Sequence, residues 1–164
     1  MDNKFTIFNK QTSTIGKSSH KYGFTHFAKY DFRPGDTVLK SYGKLINHQT
    51  GHLSIQIGMG KHFLPTYWTG RNFNHSCNPN CCVKTRSDGF PDLIALRKIK
   101  AGEEITFAYW MTEYEWAKNA AENHISCLCG SKNCKGKICT FSQLPSSEKR
   151  KMSNFISEYL LRVS

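Results

Sequence analysis

Two short stretches concentrate the side chains that can ligate a metal or attack an electrophile. The first, Asn74-His75-Ser76-Cys77-Asn78-Pro79-Asn80-Cys81-Cys82, gathers a histidine, three thiols and several amides around one proline. The second, Cys127-Leu128-Cys129-Gly130-Ser131-Lys132-Asn133-Cys134, is a C-x-C pair, a glycine-containing turn and a third cysteine. Three readings are open to the first stretch: a metal site, a thiol nucleophile with His75 as its base, or a tight turn whose polar groups only satisfy the backbone. A Cys77 nucleophile lacks an identifiable group to orient the imidazole, and residues this close in sequence rarely face one another productively. The second stretch is too polar to bury three cysteines as small apolar residues. Structural Zn²⁺ wants four tetrahedral ligands, thiolates favoured, so the knuckle is one short. Cys139, Cys77, Cys81 or Cys82 must supply the fourth.

The rest of the chain sets the context. Seven cysteines, an odd number, suit metal ligands or free thiols in a reducing compartment better than a disulfide framework. The N-terminus lacks a charged-then-apolar signal pattern and no apolar run is long enough to span a bilayer, so the expectation is a soluble, intracellular protein without membrane contact. A length of 164 residues suits one domain with a respectable core. Lys plus Arg number 23 against 12 Asp plus Glu, a net charge of +11, which favours acidic partners such as nucleic acid. The basic residues are scattered and the longest run is Lys149-Arg150-Lys151. That pattern implies a general attraction to polyanions rather than an element that reads DNA.

The elements that must position the two stretches read as mainly β. Short β-like runs lie at Phe5–Phe8, Thr37–Tyr42, Leu53–Ile57, Lys61–Leu64, Cys82–Thr85 and Leu93–Arg97, with turn signals between them at Arg33-Pro34-Gly35-Asp36, Gly58-Met59-Gly60, Asn78-Pro79-Asn80 and Ser87-Asp88-Gly89. Thr112 to His124 reads as a helix with acidic residues in its first turn. A second helix opens at Pro145, and Met152, Phe155, Ile156, Tyr159, Leu160 and Val163 recur on one apolar face that should pack on the body of the protein.

Taken together, separated motifs resemble the SET-domain family of S-adenosylmethionine-dependent protein lysine methyltransferases with a post-SET zinc knuckle. "RNFNHSCNPN" (Arg71 to Asn80) is similar to the family's R-F-x-N-H-S-C-x-P-N, "GEEITFAY" (Gly102 to Tyr109) to G-E-E-L-T-F-D-Y, and "CLCGSKNCKG" (Cys127 to Gly136) to C-x-C-x-x-x-x-C. "GFTHFAKYDFRPGDTVLKSYGKLI" (Gly23 to Ile46) aligns with the opening G-x-G-V-x-A segment and the strand pair K-G-x-x-I-x-x-Y-x-G. A lone N-H-S-C would be weak; four motifs in order are specific.

The resemblance implies a mainly β fold with α additions (β+α): small twisted sheets, a pseudoknot, a zinc-pinned post-SET loop and a C-terminal helix. It divides the chain into a SET domain over 1–111 with motifs from about 20, a connecting helix over 112–126, a post-SET knuckle over 127–139 and a helical tail over 140–164. It assigns Cys77 as the fourth zinc ligand beside Cys127, Cys129 and Cys134, leaving Cys81, Cys82 and Cys139 as ordinary thiols, with Cys82 toward the core. Tyr109 becomes the catalytic tyrosine, Phe107 the residue that tunes how many methyl groups fit, and Tyr42 a wall of the lysine channel. Gly23, Phe24, Thr25, Arg71, Asn74 and His75 become contacts to S-adenosylmethionine.

Methyl transfer needs a neutral, in-line lysine screened from water, and an apolar channel depresses a lysine pKa. Phenylalanine at 107 implies di- or trimethylation. Two departures from the family pattern bear on cofactor affinity and rate: Thr25 replaces a glycine, and Ala108 replaces an acidic residue, with Trp110 beyond the tyrosine. His48, His52 and His62 lack an acidic or cysteine partner and are expected to be exposed or at strand edges.

The implied partner is a protein lysine, histone foremost, which would make the protein nuclear. Contact with nucleosomal DNA or with the acids Glu113 and Glu115 would offset repulsion between a basic enzyme and a basic tail. A non-histone substrate, or a catalytically silent zinc-stabilised chromatin or nucleic-acid binding module, is the alternative.

Overall fold

A computed structural model describes residues 2–19, 23–116 and 125–163. The chain opens with α1 (Lys4–Thr12), where the sequence predicts a strand over Phe5–Phe8. Asn3 decides the difference locally, because its side chain accepts from the backbone N–H groups of both Phe5 and Thr6 and so starts a helix. Asn9 decides it globally. Fully buried, it donates to the carbonyls of Lys40 (2.8 Å) and Trp68 (2.7 Å) and accepts from Lys40 N–H (2.7 Å), an arrangement that ties α1 to a neighbouring strand.

Among the described residues ten strands form four small sheets. β1 (Ser13–Lys17) and β2 (Phe24–Ala28) pair antiparallel. β3 (Thr37–Lys40), β8 (Cys81–Thr85) and β9 (Pro91–Ala95) form an antiparallel sheet with β9 central. β4 (Gly43–Ile46), β5 (Ile55–Gly58) and β6 (Lys61–Pro65) form another with β6 central. Here Gly43 permits the close approach of β4 to β6, since a Cβ would lie 2.1 Å from the Leu64 carbonyl oxygen. β7 (Asn74–His75) and β10 (Thr106–Phe107) make a short parallel pair, Thr106 opposite Asn74 and Phe107 opposite His75.

The core runs under the β3–β9–β8 sheet and gathers Val38, Leu39, Cys81, Cys82, Val83, Leu93, Ile99, Ile105, Phe107 and Ala108. Both Cys81 and Cys82 are buried in it, whereas Cys139 is half-buried elsewhere. Burial pushes the Cys81 thiol well above its ordinary range, which suits an inert core residue. Fully buried Ala108 replaces the acidic residue of the family pattern without leaving a charge to satisfy.

One helical expectation lies largely outside the described residues and another is corrected. Of the helix expected over 112–126, residues 112–116 form turns and irregular backbone, and 117–124 lie outside the described residues. The C-terminal segment packs on the body as expected, with Ile156 and Leu160 in the core and Met152, Phe155, Tyr159 and Val163 against it. It does so as α2 (Ser146–Lys151) and two 3₁₀ turns, Ser153–Phe155 and Glu158–Arg162, rather than as one helix. The reason is backbone capture: Ser157 N–H donates to Met111 O (2.8 Å) and Glu158 N–H to Thr85 Oγ1 (2.9 Å), with Ile156 extended between the turns. Those donors would otherwise continue the helix.

Replacing Asn9 by alanine would remove the partner of two carbonyls and one N–H on half-buried residues. We expect a loss of about 3 kcal/mol, read as a lower denaturant midpoint with unchanged slope; a shift within experimental error would show that water replaces the amide.

Candidate functional site

The parallel pairing of β7 with β10 builds the site. Ser76 N–H donates to Phe107 O (3.0 Å), and Asn80 Oδ1 accepts from Thr106 N–H (2.9 Å) while its amide donates to Glu104 O (2.8 Å). These bonds lock two segments about thirty residues apart side by side in parallel register. His75 Nδ1 accepts from Tyr109 N–H (3.1 Å), which places the ring proton on Nε2, 3.5 Å from Cys77 Sγ. Burial lowers the His75 pKa to about 4, so the imidazole is neutral at pH 7. It fixes the start of the Tyr109–Met111 turn.

Tyr109 and Phe107 line a cavity of about 330 Å³ with Arg71, Phe73, Glu113, Trp116, Ile125 and Ile138. The walls are largely aromatic: Tyr109 lies 5.2 Å from His75, 5.3 Å from Phe107 and 6.4 Å from Trp116, centroid to centroid. Burial and the nearby Glu113 carboxylate raise the Tyr109 pKa, so its phenol stays protonated and can donate. Arg71 is exposed where it lines the cavity.

Cys77, Cys127, Cys129 and Cys134 converge, every pair of sulfurs lying within 4.8 Å. The Cys77–Cys127 separation is 3.7 Å, close to the ~3.8 Å edge of a tetrahedron with Zn–S bonds of about 2.3 Å. Backbone N–H groups already point at sulfur, Cys77 N to Cys129 Sγ (3.5 Å) and Gly136 N to Cys134 Sγ (3.4 Å), as thiolates require. The donor set therefore fits Zn²⁺. Beside these cysteines pack Ile138, Ile125, Trp116 and Tyr109, so the knuckle forms one wall of the cavity.

On the opposite side of β7, Asn74 donates from Nδ2 to Phe24 O (3.5 Å) and Glu104 Oε1 (3.3 Å). Gly23, with a φ of 83° that favours glycine, is open where a side chain would be, and Phe24 beside it is 55% exposed. Thr25 is buried and its hydroxyl has no partner among the described residues. An exposed aromatic, a bare glycine and a buried amide at one edge suit a planar base and an amino-acid moiety, the two ends of S-adenosylmethionine.

Tyr42 does not join this site. It is 38% exposed, stacks on Phe5 (5.2 Å) and lies tilted against Phe90 (5.6 Å), and it is not among the residues lining the cavity. In the family pattern the tyrosine stands two residues before the glycine, and here that position is the buried Ser41. Extended backbone turns neighbouring side chains to opposite faces, so a one-residue shift removes Tyr42 from the interior. His62, expected at the surface, is buried on central strand β6; His48 is exposed, and the His52 side chain lies outside the described residues. Glu113, expected as a surface acid, is 4% exposed and lines the cavity, while Glu115 is exposed. Neither Glu113 nor Trp116 carries a motif that could have revealed its place.

Residues 11–110 match the family model described as SET domain. A histone-lysine N-methyltransferase, H3 lysine-4 specific, of Emericella nidulans is 45% identical over 136 residues, 71% of this chain and 11% of the relative. One of Gibberella zeae, H3 lysine-36 specific, is 31% identical over 140 residues, 73% of this chain and 14% of the relative. The chain thus spans roughly a tenth of the length of the curated relatives it matches. In fold it is similar to KRYPTONITE, solved with mCHH DNA, H3(1-15) peptide and SAH, at a TM-score of 0.61 and 20% identity over 76% of this chain and 29% of that one.

Metal analysis of the purified protein should find a single Zn²⁺ per chain. Cys77→Ser should lose it and unfold at lower temperature, while Cys139→Ser should keep both metal and melting point. Retention of zinc by Cys77→Ser would remove Cys77 from the ligand set.

Proposed function

Since this chain belongs to the SET-domain family, we propose that it is an S-adenosylmethionine-dependent protein lysine N-methyltransferase, with histone as its substrate and capacity for di- or trimethylation. The observation that carries the reading is the meeting of Tyr109, Phe107 and the four-cysteine knuckle around one cavity. The H3-specific relatives and the H3 peptide in the KRYPTONITE complex support a histone substrate. Action on histones would make the protein nuclear, and the net charge of +11 would add contact with nucleosomal DNA. Among the described residues no helix is long and apolar enough to cross a membrane.

S-adenosylmethionine, when bound, supplies an electrophilic sulfonium methyl group. Gly23, Phe24, Thr25, Asn74 and His75 would hold it at the outer edge of β7, with Arg71 contributing from the cavity wall. On the other side, Phe73, Phe107, Trp116, Ile125 and Ile138 exclude water, and an ammonium group entering among them is driven toward its neutral form. The Tyr109 hydroxyl, protonated at neutral pH, hydrogen-bonds the amine and fixes the direction of its lone pair. Phe107 lacks the hydroxyl that would retain a water there, leaving space for added methyl groups. Zn²⁺ held by Cys77, Cys127, Cys129 and Cys134 would keep the knuckle wall closed without entering the reaction.

Labelled S-adenosylmethionine offered to the zinc-loaded protein with core histones, nucleosomes and a cell lysate tests the reading. Label should enter histone lysine, fall at least a hundredfold in Tyr109→Phe, and appear as di- and trimethyl-lysine by mass spectrometry. Phe107→Tyr should shift product toward monomethyl-lysine. Label confined to a lysate protein would replace histone as substrate, and no transfer combined with no cofactor binding by calorimetry would leave a silent zinc-stabilised binding module.

A further inference from the structure

The cavity holds one group that methyl transfer as described leaves without a task. Glu113 is 4% exposed and lines the same cavity as Tyr109 and Phe107. Its Oε1 accepts from Gln56 N–H on β5 (3.0 Å) and from Thr112 Oγ1 (3.2 Å). Its Oε2 is buried with no hydrogen-bond partner among the described residues. Ionising a carboxyl in such a place is costly unless a cation arrives. Anchoring alone does not account for an acid, because glutamine would accept the same two bonds through its amide oxygen at no charge cost.

The missing partner is a cation that enters an aromatic-walled cavity. A lysine side chain offers one on a thin apolar stem, and it must lose a proton before its nitrogen can attack. Resting on the methyltransferase reading above, we propose that Glu113 receives the ε-ammonium of the target lysine and takes its proton, delivering the neutral amine to methyl transfer.

The step balances. R–NH₃⁺ and the Glu113 carboxylate become R–NH₂ and a carboxylic acid. The amine lone pair forms the N–C bond as the C–S bond of the sulfonium breaks, leaving a neutral thioether and R–NH₂–CH₃⁺. Glu113 then returns its proton to water, and a methylated ammonium re-entering the cavity is deprotonated in the same way.

The surroundings suit that task. Burial, opposed more weakly by the Gln56 and Thr112 bonds, pushes the Glu113 pKa up to about 7, where a base both holds and releases a proton readily. The tyrosine and histidine side chains around it are uncharged at that pH. Tyr109 on the turn and Tyr159 from the C-terminal segment are both raised by burial and by the Glu113 charge, and Tyr159 Oη donates to Thr112 O. His62, cross-strand from Gln56 on β6, is lowered by burial. Arg71 brings a positive charge to the lining from an exposed position.

Glu113→Gln retains the contacts to Gln56 and Thr112 and removes the proton acceptor. With core histones as substrate, the native rate should rise with pH through about 7 and level off. The variant should be at least a hundredfold slower at pH 7, lack that step, and keep rising toward the pKa of free lysine with its melting temperature preserved. A variant within twofold of the native rate, with the same pH profile, would overturn the proposal while leaving the methyltransferase reading intact.

A readout that needs no turnover is the carboxyl titration of ¹³C-glutamate-labelled protein, with the Glu113 signal identified by its loss in Glu113→Gln. Adding n-butylammonium, a lysine side-chain mimic, should lower the Glu113 midpoint, whereas tetramethylammonium, which has no proton to give, should lower it less. A midpoint that n-butylammonium leaves in place would overturn the assignment. Should the native protein methylate nothing, the methyltransferase reading fails, and this titration still decides whether the cavity receives an ammonium.

Discussion

Four sulfur atoms from segments fifty residues apart share one small volume, and most of the site follows from that convergence. The knuckle over Cys127–Cys134 has little apolar material of its own; among the described residues, Ile138 and its partly buried neighbours surround the cysteines. Its position is therefore set by Cys77, and Cys77 is set by the β7–β10 pairing two residues earlier. A metal ion binding there gains affinity from a donor set that the fold has already assembled, and returns it as stability of the wall above the cavity. Loss of one sulfur would affect the cavity's shape before it affected the core.

The cavity itself is a compromise between dryness and polarity. Its aromatic and aliphatic lining favours a neutral amine, while Tyr109 and Glu113 are polar groups kept at a cost to stability. For Glu113 the sign of that cost is fixed by its raised pKa: the native state binds the proton more tightly than the unfolded chain. Its favourable contribution is complete below the ordinary carboxyl range and is lost as pH rises through about 7. Charge is placed differently at the outer edge. There Asn80, Arg97 and Lys100 N–H surround Glu103, and Asn74 and Ser18 meet Glu104, so carboxylates are satisfied by donors from several segments.

Local motifs were legible because their chemistry is local. The C-x-C turn, the Asn-His-Ser-Cys run and the Gly-Glu-Glu-Ile-Thr-Phe-Ala-Tyr segment carry their roles in adjacent residues, and β3, β5, β6, β8 and β9 were recognisable from apolar and β-branched runs between turn residues, whereas β1, β2 and β4 were not. What misled was also local. Phe5–Phe8 has strand-like composition, yet the Asn3 cap and the Asn9 anchor make it helical. Tyr42 stands beside the glycine expected near the channel, but an alternating backbone makes one position of register the difference between core and surface.

By itself the sequence determined the family, the mainly β character and the residues able to ligate a metal or donate to an amine, since each is encoded by residue type at short spacing. The resemblance named the four thiols, and the tertiary structure brings their sulfurs together, because the place of Cys77 depends on how β7 pairs with β10. Tertiary structure alone decided that the C-terminal segment breaks, because Met111 and Thr85 capture the N–H groups a helix would use. It also turned Glu113 from a surface acid into a buried one: the turn after Tyr109 and the edge of β5 close over it, and burial is a property of what packs against a residue rather than of the residue.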